Sequence, residues 1–474
     1  MKNEMEKNEA SAVGSGRIFR FLRDNRVLLI LLAAGFLLRL AVALPGFQGD
    51  AGTHFSRPDS CGYLGPARAL AVSGEYLSEP GGKPDFRRAP GFPFFAALVL
   101  RAAGPDNMAA LAFSLVVVGA LIPLVVYWAG AVWFDRKTAL WACGFMAFNL
   151  TMIAQSPMLL SDTLFGLVAA LMLFCYGKFY RQLDIRWFVV TLLLAGIGAL
   201  IRPINSMWIF PALFLLAVTP KLRWVHKLAA GVSGLAVFLL VLLPWMGRNA
   251  ALGAGWSIDS NTGAMYHQNG AMLLARVNHS SFEVEKAKLL AQLKREFSDK
   301  VKYPDQKSRT RYRLRKFREL IQAHPLAWIA LHCRPQILIP DAPTVLELFG
   351  LTRAGRGTMD IMQRKGVFAA VHHYFGDKFW MLLPLVPLLL ITLALYLLAA
   401  WKLGVWIFEF PTCWYSVLIF FAFAEYYFFL PGPIVAPRYQ LPALPILALM
   451  AARQIPVLAE FFRKYGTKRI RIDF

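Results

Sequence analysis

The sequence is short of charge, and shorter still of acid. Only 17% of its 474 residues are charged, and 28 acidic side chains face 51 lysines and arginines. That balance argues against a soluble globular enzyme, whose surface needs a larger charged share. Cysteine is scarce too. Cys61, Cys143, Cys175, Cys333 and Cys413 form no CxxC pair and stand at no zinc-ligand spacing with a histidine, so zinc modules are not expected. Cys143, Cys175 and Cys413 fall in apolar blocks as small hydrophobes. A pairing of Cys61 with Cys333 is left open. No nucleic-acid motif accompanies the net charge of +23, and no repeat of fixed period is visible. The first apolar block, 27–44, runs into Pro45-Gly46-Phe47 with no small-residue cleavage site, which argues for a retained helix rather than a removed signal.

What the chain does have is apolar length. Hydrophobic residues make up 57% of it, in blocks near or above the roughly 18–20 residues that cross a bilayer core. The pattern predicts an all-α polytopic membrane protein with about ten transmembrane helices: 27–44, 107–134, 138–155, 160–178, 187–201, 203–219, 228–246, 376–400, 404–430 and 440–457. With the N-terminus inside, the links at 135–137, 178–186, 221–227 and Lys402, and the basic tail after Arg463, are all cytoplasmic and all positive, as the charge rule requires. Three regions follow. Residues 1–246 form an N-terminal transmembrane module that includes a first outer loop, 45–106. Residues 247–377 form an extracytoplasmic region with amphipathic helices. Residues 378–474 form the last transmembrane helices and a basic cytoplasmic tail. Within the second region, 281–322 carries apolar residues at helical spacing among many lysines and arginines. It reads either as helices lying on the bilayer or as a helix pair inside a small domain.

The first outer loop holds the acid of most interest. Asp59, in Pro58-Asp59-Ser60, suits a helix cap. It equally suits a general base that takes a proton from an acceptor while a sugar is attacked at its anomeric carbon. Asp50, in a Gly-Asp-Ala-Gly turn, is a competing base. Arg87 and Arg88 follow in the same loop, and a guanidinium fork matches phosphate oxygens. Snorkelling onto lipid phosphate is the plainer role for both. The topology puts Asp162, Arg202, Arg248 with Asn249, and Arg438 with Tyr439 at the same membrane face. Several charged groups converging there favour a shared anionic ligand. Asp162 also suits a helix N-terminus on dipole grounds alone. Arg39, inside the first helix, is expected to pair with an acid such as Glu425. His267, in a Gly/Asn-rich stretch that reads as a turn, is a candidate for contact with sugar or metal.

Taken in order, these pieces resemble the GT-C glycosyltransferases that use polyprenyl-phosphate sugars, in the group containing the protein O-mannosyltransferases and the lipid A aminoarabinose transferase. The resemblance rests on Pro58-Asp59-Ser60 with Tyr63, Arg88-Ala89-Pro90-Gly91-Phe92-Pro93, Ser161-Asp162-Thr163-Leu164-Phe165, Arg202-Pro203, Pro244-Trp245 with Arg248-Asn249, and Arg438-Tyr439 with Leu441-Pro442. It implies a catalytic acid at Asp59, a second acidic position at Asp162, and interfacial helices at 60–74 and 90–103. It also implies carrier-phosphate binding by Arg88, Arg202, Arg248 and Arg438, with Tyr63, Asn249, His267 and Tyr439 as further substrate contacts. Ser60 stands where many relatives carry a second acid, and Asp162 where many carry Glu, so use of a divalent metal stays open. The implied activity is an inverting transfer from a polyprenyl-phosphate sugar to a glycolipid, polysaccharide or protein, at the outer face of a bacterial inner membrane. The alternatives are a lipid-linked sugar flippase and an O-antigen ligase or polymerase. A flippase is expected to show internal repeats and midplane charges.

Overall fold

The computed structural model describes residues 23–260, 265–332, 338–352, 357–376, 378–430 and 436–465. Cys333 lies outside these. Among the described residues all regular structure is helical, apart from one isolated antiparallel bridge between Leu77 and Pro84. Seven helical stretches are long and apolar enough to cross a membrane: Arg26–Gln48, Met108–Trp133, Asp162–Gln182, Trp224–Ala251, Phe379–Phe408, Phe410–Phe429 and Leu444–Lys464.

The other three expected crossings are shorter. Two are the apolar helices Ile185–Ile201 and Pro203–Val218. The third, 138–155, is two helices, Arg136–Ala147 and Leu150–Gln155. The break has a local cause. Asn149 takes an extended backbone, and its side chain accepts the N–H of Met152, starting a new helix in place of the old one.

In chain order we label α1 (Arg26–Gln48), α2 (Ala51–Phe55), α3 (Cys61–Ser73), α4 (Gly91–Ala103), α5 (Met108–Trp133), α6 (Arg136–Ala147), α7 (Leu150–Gln155), α8 (Asp162–Gln182), α9 (Ile185–Ile201), α10 (Ile209–Val218) and α11 (Trp224–Ala251). α12 (Met265–Val277), α13 (Phe282–Glu296), α14 (Gln306–Ala323) and α15 (Pro325–His332) follow. The remainder are α16 (Ala342–Leu348), α17 (Thr358–Lys365), α18 (Val367–Phe375), α19 (Val386–Phe408), α20 (Phe410–Phe420), α21 (Tyr426–Phe429) and α22 (Leu444–Tyr465).

The main core joins α5, α8, α9 and α22 around buried Phe165, Tyr176, Trp208 and Phe423. A second core gathers α1 to α5, α7 and α16 around Phe55, Phe92 and Leu111. α12 to α14 have a smaller core of their own, built on Tyr266, Leu289, Leu293, Tyr312 and Phe317. The apolar stripe of 281–322 is therefore spent largely on this packing. His267 lies within α12 rather than in the expected turn.

Arg39 does not meet Glu425. It is fully buried in α1 and donates to Ser156 Oγ and to the carbonyls of Gly35, Met146 and Ala147. The break after α6 exposes carbonyls that lack helical partners, and a guanidinium is well shaped to bind several at once.

Candidate active site

The site is assembled where α3, α8, α9 and α22 begin or end. α3 and α4 pack on each other, and the segment 76–88 between them carries the arginines. Gly91 fixes where that segment docks: a Cβ there would come within 2.9 Å of the Ile201 nitrogen. The start of α4 can therefore press against the end of α9, next to Arg202. Gly62 does similar work in α3, since a Cβ would lie 2.9 Å from Arg88 Nε.

Asp59 is not used as a cap. Ser60 is the N-cap of α3 and makes no side-chain capping bond, while Arg57 N–H donates to its hydroxyl. The Asp59 carboxylate is held instead by two arginines from remote parts of the chain. Arg88 Nη2 donates to Oδ1 at 2.8 Å, and Arg438 Nη2 donates to Oδ2 at 2.6 Å. The Asp59 side chain remains 40% exposed, against 21% for Arg88 and 19% for Arg438, so an incoming group can reach it. Burial raises the Asp59 carboxyl, but Arg438 and Arg88 outweigh it through charge and hydrogen bonding. They hold it below the ordinary aspartate value of 3.8.

A second pair lies alongside. Asp162, buried at the first position of α8, is ion-paired with Arg202 at the end of α9. The Tyr439 ring links the two pairs, with the Arg202 guanidinium 5.3 Å and the Arg438 guanidinium 5.4 Å from its centroid. Tyr63 makes another link. Arg88 stands 4.7 Å over its ring, and its hydroxyl lies 3.2 Å from Ser161 Oγ, beside Asp162. Seven of the sequence candidates thus come together: Asp59, Tyr63, Arg88, Asp162, Arg202, Arg438 and Tyr439.

Three candidates do not join this contact network. Arg248 donates to the carbonyls of Tyr76 and Asp85 and to Asn249 Oδ1, and is enclosed by the rings of Tyr76, Phe86 and Trp245. Its donors clamp the Leu77–Pro84 bridge that precedes Arg88. Asn249 is fully buried and donates to the Ser257 carbonyl. His267 lies in α12, where burial, Arg313 and Lys286 all lower its pKa. Such cationic surroundings do not suit a metal ligand. Among the described residues no three His, Cys, Asp or Glu side chains gather into a metal-binding group.

One neighbour, Tyr76, was not singled out from sequence; it donates its hydroxyl to the Arg88 carbonyl at 2.9 Å. Arg87 is turned away from Asp59 onto buried Asp85. Asp50 is an exposed cap of α2, bonded to the N–H groups of Gly52 and Thr53, and thus serves a local turn.

Chemically, the arrangement offers one reachable carboxylate with guanidinium groups around it. Each guanidinium carries five N–H donors, so a single bond to Asp59 leaves capacity for phosphate oxygens.

Residues 87–247 match the family described as dolichyl-phosphate-mannose-protein mannosyltransferase. No curated protein matches the chain in sequence. Among solved structures, the chain is similar to the archaeal oligosaccharyltransferase AglB from Archaeoglobus fulgidus, in complex with an inhibitory peptide and a dolichol-phosphate. That likeness has 14% identity and a TM-score of 0.50 over 94% of this chain and 52% of the other. It is also similar to the Archaeoglobus fulgidus oligosaccharyltransferase tethered to an acceptor peptide containing the NVT sequon, with 13% identity and a TM-score of 0.51, over 94% of this chain and 51% of the other. The chain spans about half the length of these structures. Its fold is the GT-C fold of membrane glycosyltransferases. The matched family segment contains Arg88, Asp162 and Arg202, whereas Asp59 and Arg438 lie outside it.

Proposed function

We propose that the protein is an inverting glycosyltransferase that moves a sugar from a polyprenyl-phosphate carrier to an acceptor at the extracytoplasmic face of a bacterial inner membrane. The observation that carries this reading is the clamp of Arg88 and Arg438 on the exposed Asp59 carboxylate.

In the resting protein, Asp59 neutralises its two arginines and is a weak base. A carrier phosphate competes for the same guanidinium donors. As it binds, the added negative charge raises the proton affinity of Asp59, so the donor itself prepares the base. The acceptor hydroxyl or amine then gives its proton to Asp59 and attacks the anomeric carbon. The bond from that carbon to the carrier phosphate breaks, and its electron pair leaves with the phosphate. Arg88 and Arg438, backed by Arg202, stabilise that charge as it develops. Asp162 orients Arg202 and acts on the reaction through it. Tyr63 and Tyr439 wall the site and hold the guanidiniums in place. Arg248 supports the segment that carries Arg88.

A dolichol-phosphate and a peptide are bound by one structural neighbour, and a mannosyl donor is named by the matched family. These support a polyprenol carrier and make a protein one of three acceptor classes, beside a glycolipid and a polysaccharide. The test is transfer by the purified protein from a panel of radiolabelled polyprenyl-phosphate sugars to a membrane extract, with and without divalent metal. Transfer from one donor supports the reading. Carrier binding with no transfer from any donor would support a flippase instead. Reporter fusions at Lys137 and Lys300 test the orientation, and the same side for both would overturn it.

A further inference from the structure

The end of the bundle opposite Asp59 holds a cavity of about 280 Å³ that the transfer chemistry does not use. Its distance from the site follows from α8, which starts at Asp162. Tyr180, in the cavity wall, is 18 residues further on, about 27 Å along a helix rising 1.5 Å per residue. Trp133, Tyr180, Trp406 and Leu449 line it, and apart from Ser416 the uncharged lining is apolar or aromatic. Two arginines complete the wall. Arg181 Nε and Nη2 donate to the carbonyls of Val132 and Trp133, bonds that leave Nη1 unused. Arg453 lies 3.6 Å from Asp135, which is half-exposed and whose carboxylate also accepts from the N–H and hydroxyl of Thr138. Lys402, within electrostatic reach of Arg453, stacks 5.5 Å from the Trp406 ring. Glu409 is the acid that faces Lys402.

We infer that this cavity is a binding site for an anionic phospholipid, with an acyl segment among the aromatic side chains and the headgroup phosphate on Arg181 and Arg453. An apolar interior excludes a free sugar, a nucleotide or an inorganic ion as the occupant, because none of them gains from leaving water for it. A zwitterionic lipid would fill the cavity equally well but would gain less from the cations at its mouth. Basic pockets between helices, flanked by tryptophan and tyrosine, suit the headgroup level of an anionic leaflet. The site is separate from Asp59 and does not depend on the transferase reading.

The test is native mass spectrometry of the full-length protein released from nanodiscs of equal dioleoyl phosphatidylglycerol and dioleoyl phosphatidylcholine. The wild type is expected to retain phosphatidylglycerol about fivefold over phosphatidylcholine, from its cationic contacts. In Arg181→Gln/Arg453→Gln that preference is expected to fall to about one. Ser416→Trp fills the cavity and leaves both arginines in place, so it is expected to lower retention of both lipids. It also decides the matter if the double variant does not fold. Equal retention of the two lipids by the wild type, a preference unchanged in Arg181→Gln/Arg453→Gln, or undiminished retention of both lipids by Ser416→Trp would overturn the inference.

Discussion

Arg438 reaches across 379 residues of sequence to donate to Asp59 Oδ2 at 2.6 Å, on the carboxylate whose other oxygen is held by Arg88. In the proposed mechanism, this base is occupied by the groups that would hold the leaving phosphate. Removing its charge should therefore free those groups. Asp59→Asn is expected to bind a polyprenyl phosphate at least as tightly as the wild type, by about threefold or more if each guanidinium recovers a charge-assisted bond. Titration of the detergent-purified protein with polyprenyl phosphate measures this. A marked loss of affinity would mean that Asp59 organises the phosphate site instead of competing with it.

The proposed competition predicts a pH dependence. Asp59 accepts a proton only when ionised, so activity falls as pH drops through its pKa. In the free protein that value lies below 3.8. The acid limb of kcat/KM should lie correspondingly low. The limb of kcat, which reports the donor complex, should lie higher, because the carrier phosphate draws on the same arginines. Rate profiles at saturating and limiting donor separate the two. The clamp's contribution to stability has the same sign. It is complete above the unfolded value near 3.8 and is lost as pH falls through the lower folded value.

The Asp162–Arg202 pair is more deeply buried, with Asp162 only 5% exposed. Removing one partner leaves an uncompensated charge, and Arg202→Gln is expected to cost about 3 kcal/mol. The double variant Asp162→Asn/Arg202→Gln should recover part of that loss. Thermal unfolding of the four proteins measures the coupling, and additive losses would show that the pair contributes nothing beyond its parts.

Arg248→Ala should act through the segment it clamps. Hydrogen exchange is expected to speed up at 76–88, and transfer to fall, while Arg248→Lys restores little because one ammonium cannot span the carbonyls of Tyr76 and Asp85. Exchange mass spectrometry with a parallel transfer assay checks both. A pure rise in carrier dissociation constant with unchanged exchange would instead make Arg248 a direct phosphate ligand.

Much of this was legible in the sequence, for physical reasons. Apolar length marks the crossings, and the helices that the family resemblance implied at 60–74 and 90–103 appear as Cys61–Ser73 and Gly91–Ala103. Helix order led to the expectation that Asp59, Arg88, Arg202 and Arg438 share one end of the bundle, and in the structure Arg88 and Arg438 both hold Asp59 while Arg202 and Arg438 flank the Tyr439 ring. What hydropathy could not show was where a helix breaks inside an apolar block. The restart at Asn149 divides one expected crossing in two and supplies the carbonyls that satisfy Arg39, so no acid is needed for that arginine. Nor does spacing tell an arginine that faces a ligand from one that staples backbone. Arg88 and Arg248 read alike in sequence, and only their bonds tell them apart: Arg88 donates to the Asp59 carboxylate, Arg248 to the carbonyls of Tyr76 and Asp85.

The most direct measurement is transfer by wild type and by Asp59→Asn, with the best polyprenyl-phosphate donor from the panel and carrier binding measured on the same preparations. A general base at Asp59 requires transfer to fall about 10²–10⁴-fold while the carrier still binds. Undiminished transfer by a folded, carrier-binding Asp59→Asn protein would contradict the role of Asp59 and the mechanism built on it.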